Sequence, residues 1–294
     1  MISGVVFLDK PHGWTSRKAV NEVARLFREG RKKVKAGHAG TLDPLATGML
    51  PVFLGEATRF SSMGLDADKR YEVTYDLSLQ TDTLDSEGEV TGHFEVSFSE
   101  ENVREAVGAF VGEQMQTPPS YSAIRINGER AHARARAGES FELPARRITI
   151  HSIEFLAWEP PLLKLSVHCS KGTYIRSLGR DIGERLGAGG CVVSLRRSGI
   201  ADWPADTMVD MEHLAEKPAR CVLPLSMWLR HIPALKLDEA NARRFVQGQR
   251  LRLEKADAGL HTVFYVNMLL GTGDVVDSVV HPKRILPSAQ ELLL

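Results

Sequence analysis

The chain has 294 residues, of which 43% are hydrophobic and 25% are charged, with 37 basic side chains against 37 acidic ones. This length can bury a sizeable core in one or two domains, and the composition argues against a disordered, collagenous or disulfide-scaffold protein. A formal net charge of zero, taken as a total, argues against a nucleic-acid partner, because phosphate binding depends on lysine and arginine.

Hydrophobic periodicity predicts alternating strands and helices in the first half of the chain. Thr15 or Ser16 can cap a helix, and Ser99, which precedes two glutamates, can cap another. The predicted strands cover residues 5–8, 49–54 and 71–79. The first of these strands ends in a turn around Pro11 and Gly13.

The second half continues the mixture, and its pattern changes near residue 204. Before the change, strands are predicted at 148–155, 163–167 and 191–196, with a helix at 174–186. After a segment punctuated by prolines, a helix is predicted at 238–246 and strands at 250–253, 261–267 and 275–280. The absence of strict strand–helix–strand alternation predicts an α+β fold with a mostly antiparallel sheet. We place the domain boundary after residue 230, giving a large domain at 1–230 and a small β-rich module at 231–294.

The net charge of zero is the sum of unlike segments. Residues 1–37 carry nine bases and three acids, residues 66–105 carry twelve acids and three bases, and residues 164–200 carry seven bases and two acids. A neutral protein of this kind can present a basic surface locally. Charge alone does not distinguish such a surface from ordinary solvated faces.

The cysteines and the apolar runs bear on the compartment. Cys169, Cys191 and Cys221 are odd in number and widely spaced, which favours buried free thiols over a disulfide framework or a zinc site. No signal peptide is visible, and no run approaches the roughly 18 apolar residues of a membrane span. We therefore expect a cytoplasmic protein.

The loop at residues 37–48, GHAGTLDPLATG, contains Asp43 as its single acid. Glycines allow positive φ and close approach by another chain, and Pro44 holds Asp43 out of a helix. An isolated carboxylate beside basic residues stays ionised, as a nucleophile or general base must be. The alternative is an Asx turn, in which Asp43 bonds the backbone two residues further on, and spacing alone leaves both open.

This loop, as part of GHAGTLDPLATGMLP at 37–51, resembles the signature of the bacterial tRNA pseudouridine synthases that modify uridine 55 in the T-loop. Further blocks resemble the same family in the same order: GVVFLDKPHGWTS at 4–16, KRYEVTYDLSLQTDTLDSEGEV at 69–90, QTPPSYSAIRINGERAHARARAG at 116–138, CSKGTYIRSLGRDIGERLG at 169–187 and HPKRIL at 281–286. The resemblance covers nearly the whole chain. It implies an α+β catalytic domain with a bent, mostly antiparallel mixed sheet and a C-terminal module of the PUA type that binds RNA.

The resemblance also implies the chemistry. Asp43 matches the catalytic aspartate, which attacks ribose C1′ or assists formation of a glycal, so that uracil is freed, rotates and rejoins through C5. No redox change, metal or cofactor is needed, and the sequence shows neither metal-ligand spacing nor a phosphate-cradling loop. Tyr71 matches the tyrosine that stacks on the target base and takes part in the final proton removal. Arg176 matches the arginine that pairs with the catalytic carboxylate.

Other positions match substrate-binding residues. Tyr174 corresponds to a tyrosine at the floor of the site, Leu195 to the apolar residue that closes the pocket, and His38 to the histidine that displaces the target nucleotide. Lys10, in the opening block, is placed with them. Without the resemblance, Tyr71 and Leu195 would be interpreted as core residues and His38 as a surface loop residue.

Residues 116–147 are predicted to form an RNA-facing insertion, and this segment departs from the family pattern. Arg125 stands where the family usually has lysine, and His132 where it has tyrosine, which puts the contacts of this segment in doubt. Arg134 and Arg136 could instead belong to a solvated helix face.

The implied partner is the T-stem-loop of tRNA, and we expect a monomer with no obligate protein partner and no membrane. An RNA-binding tRNA-folding chaperone, in which catalysis is secondary, would share the basic segments and aromatic residues. Asp43, Tyr71 and Arg176 distinguish the two, because binding alone does not require them. Glycoside hydrolysis needs a second carboxylate near the first, and the next acid after Asp43 is Glu56.

Overall fold

The computed structural model describes residues 2–294 except 29, 31, 123, 127, 138, 140, 142 and 255. The side chains of residues 125, 126, 130 and 132 lie outside the description. The strands within it are β1 (Gly4–Lys10), β2 (Ala36–His38), β3 (Thr47–Leu54), β4 (Lys69–Asp76), β5 (Leu79–Thr81), β6 (Val90–His93), β7 (Gly112–Gln116), β8 (Arg125–Ile126), β9 (Glu129–Arg130), β10 (Arg146–Glu159), β11 (Leu162–Cys169), β12 (Cys191–Ile200), β13 (Ala234–Leu237), β14 (Leu251–Arg252), β15 (Gly259–Tyr265), β16 (Met268–Val276) and β17 (Val279–Ile285).

The α-helices of the same residues are α1 (Ser16–Leu26), α2 (Ser61–Leu65), α3 (Glu100–Gly108), α4 (Ala131–Arg136), α5 (Ile175–Leu186), α6 (Met211–Glu216), α7 (Leu225–Trp228), α8 (Glu239–Val246) and α9 (Pro287–Leu293). Short 3₁₀ helices cover Gly55–Phe60, Ala205–Thr207 and Pro218–Cys221. None of the helices in the described ranges combines the length and apolar character needed to cross a bilayer.

A large mixed sheet organises residues 4–200. Its strand order is β1-β3-β12-β4-β11-β10-β7, with β2 paired to β3. Only the β12–β3 pairing in this sheet is parallel. A second sheet, of order β13-β15-β16-β17-β14, forms the C-terminal part. The predicted α+β class with a mostly antiparallel mixed sheet is therefore confirmed.

The helix caps behave as predicted. The Thr15 side chain accepts a hydrogen bond from Lys18 N at 3.1 Å, and Ser99 accepts one from Asn102 N at 3.2 Å. Each side chain satisfies a backbone donor that the first turn would leave unpaired. Gly187, at φ 72°, ends α5 in the left-handed conformation.

Two predicted strand ranges are wrong. The strand predicted at 71–79 ends at Asp76, because the Asp76 carboxylate accepts hydrogen bonds from the backbone N–H and hydroxyl of Ser78 and so forms a turn. The predicted strand at 275–280 is the end of β16 and the start of β17, joined by Asp277 and Ser278 at positive φ.

Apolar burial occurs on both faces of the large sheet. One core cluster packs α1 and α5 against the sheet, with Val20, Leu178 and Tyr75 among its buried members. The other continues from Phe7 on β1 to Phe245 on α8, so the second sheet packs through a continuous apolar core. The division at residue 230 stays a prediction.

Candidate active site

The loop between β2 and β3, which carries Asp43, is fastened by three separate elements. Lys10, at the end of β1, is fully buried and donates from Nζ to the carbonyl oxygens of Pro11, Trp14 and Pro44 at 3.0, 2.6 and 3.3 Å. Ser16 of α1 bonds both backbone groups of Leu42, at 2.8 and 2.9 Å. These contacts hold the backbone on both sides of Asp43.

The third fastening comes from Arg197 on β12. Its Nε donates to the carbonyl oxygen of Met49 at 2.6 Å, and its Nη2 donates to that of Gly40 at 3.1 Å. Gly48, at φ 96°, lies against the Arg197 backbone, and a Cβ there would come within 2.3 Å of the Arg197 carbonyl oxygen. Glycine is therefore required at this crossing of loop and strand.

Arg176, in the first turn of α5, lies between two carboxylates. Its Nε is 2.9 Å from Asp43 Oδ2, and its Nη1 is 3.6 Å from Asp85 Oδ2. The Nε–H does not point along the line to Asp43, so this contact is an ion pair rather than an aligned hydrogen bond. The two Nη atoms donate to the carbonyl oxygens of Thr83 and Tyr121 at 2.7 and 2.9 Å. The predicted pairing of Arg176 with Asp43 is present.

Exposure separates the members of this cluster. The side chains of Arg176 and Asp85 are 5% and 6% exposed, whereas that of Asp43 is 38% exposed. The buried guanidinium is surrounded by carboxylates and carbonyl oxygens, which satisfy it as hydrogen-bond and ion-pair partners. Asp43 is therefore a carboxylate that a substrate can reach.

Asp85 is a site residue that the sequence reasoning missed. Its carboxylate accepts a hydrogen bond from the Thr83 hydroxyl at 2.6 Å and one from Glu87 N at 3.2 Å, and it lies in the turn after β5. The residue stands inside a matched sequence block, but within an acidic run nothing distinguishes it. A second acid for glycoside hydrolysis must reach the scissile bond, and the Asp85 side chain is 6% exposed.

Tyr71 and Arg197 face one another from β4 and β12, where they are paired in register. Burial raises the pKa of Tyr71, and the charge and hydrogen bond of Arg197 oppose that rise. Burial lowers the pKa of Arg197, while Tyr71 opposes that change. Within the described chain Arg197 has no carboxylate partner, so its charge is directed at Tyr71 and at the carbonyl oxygens of the Asp43 loop.

The remaining predicted substrate-binding residues lie around this core. His38 ends β2, and its Nδ1 is buried. Burial, with the charges of Arg197 and Arg17, lowers the pKa of His38, and a hydrogen bond with the Gly40 backbone opposes this change. Leu195 is 7% exposed and lies opposite Val73 in the ladder between β12 and β4.

Tyr174 and Lys10 are held in place by other parts of the chain. The backbone of Tyr174 exchanges two hydrogen bonds with the Gln116 side chain, at 2.8 and 3.1 Å, and its ring lies 4.5 Å from the guanidinium of Arg146. Burial lowers the pKa of Lys10 to about 8, and the charge of Asp43 partly offsets this. The structure thus shows Lys10 as an anchor of the loop, and its contact with substrate stays a prediction.

Arg125 is brought into the short hairpin of β8 and β9, but its side chain and that of His132 lie outside the description. Arg134, in α4, pairs with Glu139 at 2.6 Å and lies over Phe141. The RNA-facing role of residues 116–147 stays a prediction.

Comparison with solved structures supports the fold. The chain aligns with a crystal structure of a Cbf5–Nop10–Gar1 complex at a TM-score of 0.73 and 23% identity, covering 96% of this chain and 84% of that one. It aligns with a structure of an H/ACA RNP bound to a substrate RNA containing 2′-deoxyuridine at a TM-score of 0.74 and 23% identity, covering 97% and 85%.

Sequence comparison supplies the class, that of the pseudouridylate synthases. Residues 28–175 match the N-terminal domain of the TruB family pseudouridylate synthases, residues 176–229 match a tRNA pseudouridylate synthase B C-terminal domain, and residues 233–286 match a pseudouridine synthase II TruB C-terminal domain. The tRNA pseudouridine synthase B of Ralstonia pickettii is 46% identical, covering 87% of this chain and 81% of the relative. That of Aromatoleum aromaticum is 41% identical, covering 97% and 93%. The chain belongs to the TruB family.

Proposed function

We propose that the chain isomerises uridine 55 in the T-loop of tRNA to pseudouridine. The observation that carries this proposal is Asp43, a partly exposed carboxylate held on the buried guanidinium of Arg176. The relatives named as tRNA pseudouridine synthase B support the choice of tRNA. A chaperone role alone would not require this arrangement of charges. Burying charged side chains is unfavourable, and such clusters are typical of catalytic sites.

In the proposed reaction, the target uridine is flipped out of the T-loop and stacks on Tyr71. The Asp43 carboxylate attacks ribose C1′ or assists glycal formation, and the bond from N1 to C1′ breaks. The freed uracil rotates and forms the bond from C5 to C1′. The proton on C5 leaves and N1 gains a proton, so the product is an isomer of the substrate with no change of redox state.

The surrounding residues supply distinct parts of this reaction. Arg176 positions Asp43 by the ion pair of its Nε with the Asp43 carboxylate. Arg197 faces the Tyr71 hydroxyl, and its charge favours the phenolate that accepts the C5 proton and becomes the phenol. Leu195 closes the pocket beside Tyr71, and His38, at the end of β2 beside the Asp43 loop, contacts the displaced nucleotide.

The binding surface of the proposal comes from residues 1–37. Its exposed bases are Arg17, Lys18, Arg25, Arg28, Lys32, Lys33 and Lys35, of which Arg25 is paired with Glu22. They flank the Asp43 loop in sequence, and exposed lysine and arginine are the groups that release counterions from phosphates. The proposed enzyme works as a monomer in the cytoplasm, with the second sheet and the 116–147 insertion as further RNA contacts.

Asp43→Asn tests the proposal. We expect it to abolish tritium release from a T-stem-loop RNA containing 5-³H-uridine, because the amide is neither a nucleophile nor a base, while RNA affinity stays within several-fold. The matched control is Asp202→Asn, which removes the carboxylate of another arginine pair, that with Arg230. An active Asp43→Asn protein would refute the role of this carboxylate, and loss of activity in both variants would refute its specificity.

A further inference from the structure

A cluster of two imidazoles and one carboxylate lies on the face of β4 opposite Tyr71. Asp68 Oδ2 is 3.1 Å from His151 Nε2, and the rings of His151 and His168 are 4.7 Å apart at 45°. One ligand atom from each of the three residues lies within 4.8 Å of the other two. None of these residues takes part in the proposed isomerisation.

An irregularity in the sheet brings the two histidines together. In the β10–β11 ladder, Ile150 pairs with Cys169 and Ser152 pairs with His168, so His151 is the extra residue of a β-bulge. Successive residues of a regular strand face opposite sides, but here His151 and Ser152 are both exposed. The bulge thus turns His151 to the outer face beside His168, and bulges commonly re-aim a side chain in this way.

The backbone of Asp68 is fixed at the same edge. Its carbonyl oxygen accepts a hydrogen bond from Ala201 N at 2.9 Å, one residue before β4 begins. The neighbouring cation on this face, Arg70, is paired with His168 in the β11–β4 ladder, but its Nη1 donates to the Ala201 carbonyl oxygen at 2.8 Å. The guanidinium is therefore held at the Ala201 carbonyl oxygen, and its charge adds to burial in lowering the pKa of His168.

We propose that Asp68, His151 and His168 bind a divalent transition-metal ion, with zinc as the best fit. Imidazole and carboxylate suit zinc, copper and nickel, and three protein ligands leave a position for water. Tetrahedral ligands at about 2.1 Å from zinc lie roughly 3.4 Å apart. The 3.1 Å contact of Asp68 with His151 is already near that spacing, and rotation of these partly exposed side chains brings in His168.

A bound ion would fasten the start of β4 to the bulge of β10 and to β11. It would stabilise the native chain, because the three ligands are brought together only by folding. Since the cluster faces away from Tyr71, occupancy would change stability without changing the isomerisation chemistry.

Zinc titration of the full, untagged chain tests the proposal. The background is Cys221→Ser, because this half-buried thiol is a possible zinc ligand of its own. Affinity and stoichiometry are measured by calorimetry, and the unfolding midpoint is followed by circular dichroism with zinc and with a chelator. The variants are His151→Gln and His168→Gln, and the matched control is His281→Gln, a partly exposed histidine on β17.

We expect one zinc ion per chain, an affinity at least tenfold weaker in each cluster variant, and no change in the control. Zinc should raise the unfolding midpoint of the background protein and not that of the cluster variants. Failure to take up zinc with saturation, or equal affinity in the background and a folded cluster variant, would overturn the proposal. The unfolding midpoint measured with the chelator shows whether each variant is folded. A single folded variant, His151→Gln or His168→Gln, is enough to decide the result.

Discussion

Arg197 shows how a single side chain can serve two parts of a site. It is 1% exposed, lacks a carboxylate partner among the described residues, and holds the Gly40 and Met49 carbonyl oxygens while facing Tyr71. A buried charge left without an ion pair is costly, so its retention points to a function that a neutral residue cannot perform. We regard Arg197 as a positioning residue for both Asp43 and Tyr71.

Arg197→Lys should lower kcat at least tenfold with KM changed less than threefold, because substrate contacts remain while the loop and Tyr71 lose their anchor. Arg197 opposes the burial-induced rise in the pKa of Tyr71, so weakening that contact should raise this pKa. Any alkaline rise in kcat that reports Tyr71 ionisation should then move to higher pH. The measurement is the pH profile of single-turnover tritium release.

The control is Arg196→Lys, which alters an outward pair with Asp9 and should leave the profile in place. Equal losses in the two variants would contradict a special role for Arg197.

The catalytic residues could be predicted from contiguous sequence motifs, but the residues that hold them in place could not. Asp43, Tyr71 and Arg176 stand in motifs that a family resemblance can match. Asp85 and Arg197 are indistinguishable in sequence from charges on a solvated face, since only tertiary packing buries them. Burial of a charge is decided by elements far apart in the chain, and local patterns do not contain that information.

Among the elements, α5 depends on close backbone approach. A Cβ at Gly183 would come within 1.9 Å of the Gly189 carbonyl oxygen, and one at Gly179 within 2.4 Å of the Tyr75 ring. Gly179 thus lets α5 lie close to Tyr75 of β4, and Gly183 lets the segment that leads into β12 fold back along the helix. Glycine is therefore required for steric reasons at two positions of a helix, where helix propensity would disfavour it.

Gly183→Ala should lower the free energy of unfolding by about 2 kcal/mol or more, since the overlapping atoms are backbone and cannot move aside locally. Gly108→Ala in α3 is the matched control. Space around Gly108 is open, so alanine should stabilise by up to about 1 kcal/mol. Urea unfolding of both variants measures the difference, and a neutral or stabilising Gly183→Ala would contradict the close approach.

Element prediction succeeded where caps and periodicity act locally, as at Thr15 and Ser99. It failed at 275–280, where a run of mostly β-branched and small residues conceals a turn at Asp277 and Ser278. Positive φ at non-glycine residues has little sequence signal. Similarly, the early end of β4 depends on one side chain, Asp76, whose turn-forming contact competes with the alternating pattern.

For the whole molecule, the structure shows that the two basic segments differ in how much of their charge is exposed. In residues 164–200, Arg176 and Arg197 are buried, and three other bases pair with acids: Lys171 with Asp66, Arg180 with Asp181 and Arg196 with Asp9. That segment is largely neutralised within the protein. Of the two basic segments, residues 1–37 are therefore the one that keeps most of its positive charge exposed, and a zero total hides it.

Affinity for a T-stem-loop RNA should therefore fall at least about tenfold between 50 and 200 mM salt, because phosphate contacts release counterions. Lys32→Gln should reduce the log–log slope by about 1. Arg104→Gln, in the acidic segment and paired with Glu100, should leave the slope unchanged. Fluorescence anisotropy across a salt series gives the slopes, and a flat response would rule out residues 1–37 as the phosphate-binding surface.

The fastening of the Asp43 loop has a consequence for folding. Its three anchors belong to β1, α1 and β12, and the contact of Arg197 with Met49 spans 148 residues of chain. Contacts of such long sequence separation form slowly, because loop closure must precede them. A nascent or partly refolded chain could thus contain every catalytic side chain and still be inert, since the reactive carboxylate acquires its geometry only when β12 has joined the sheet beside β3. Recovery of activity would then mark the completion of the fold itself.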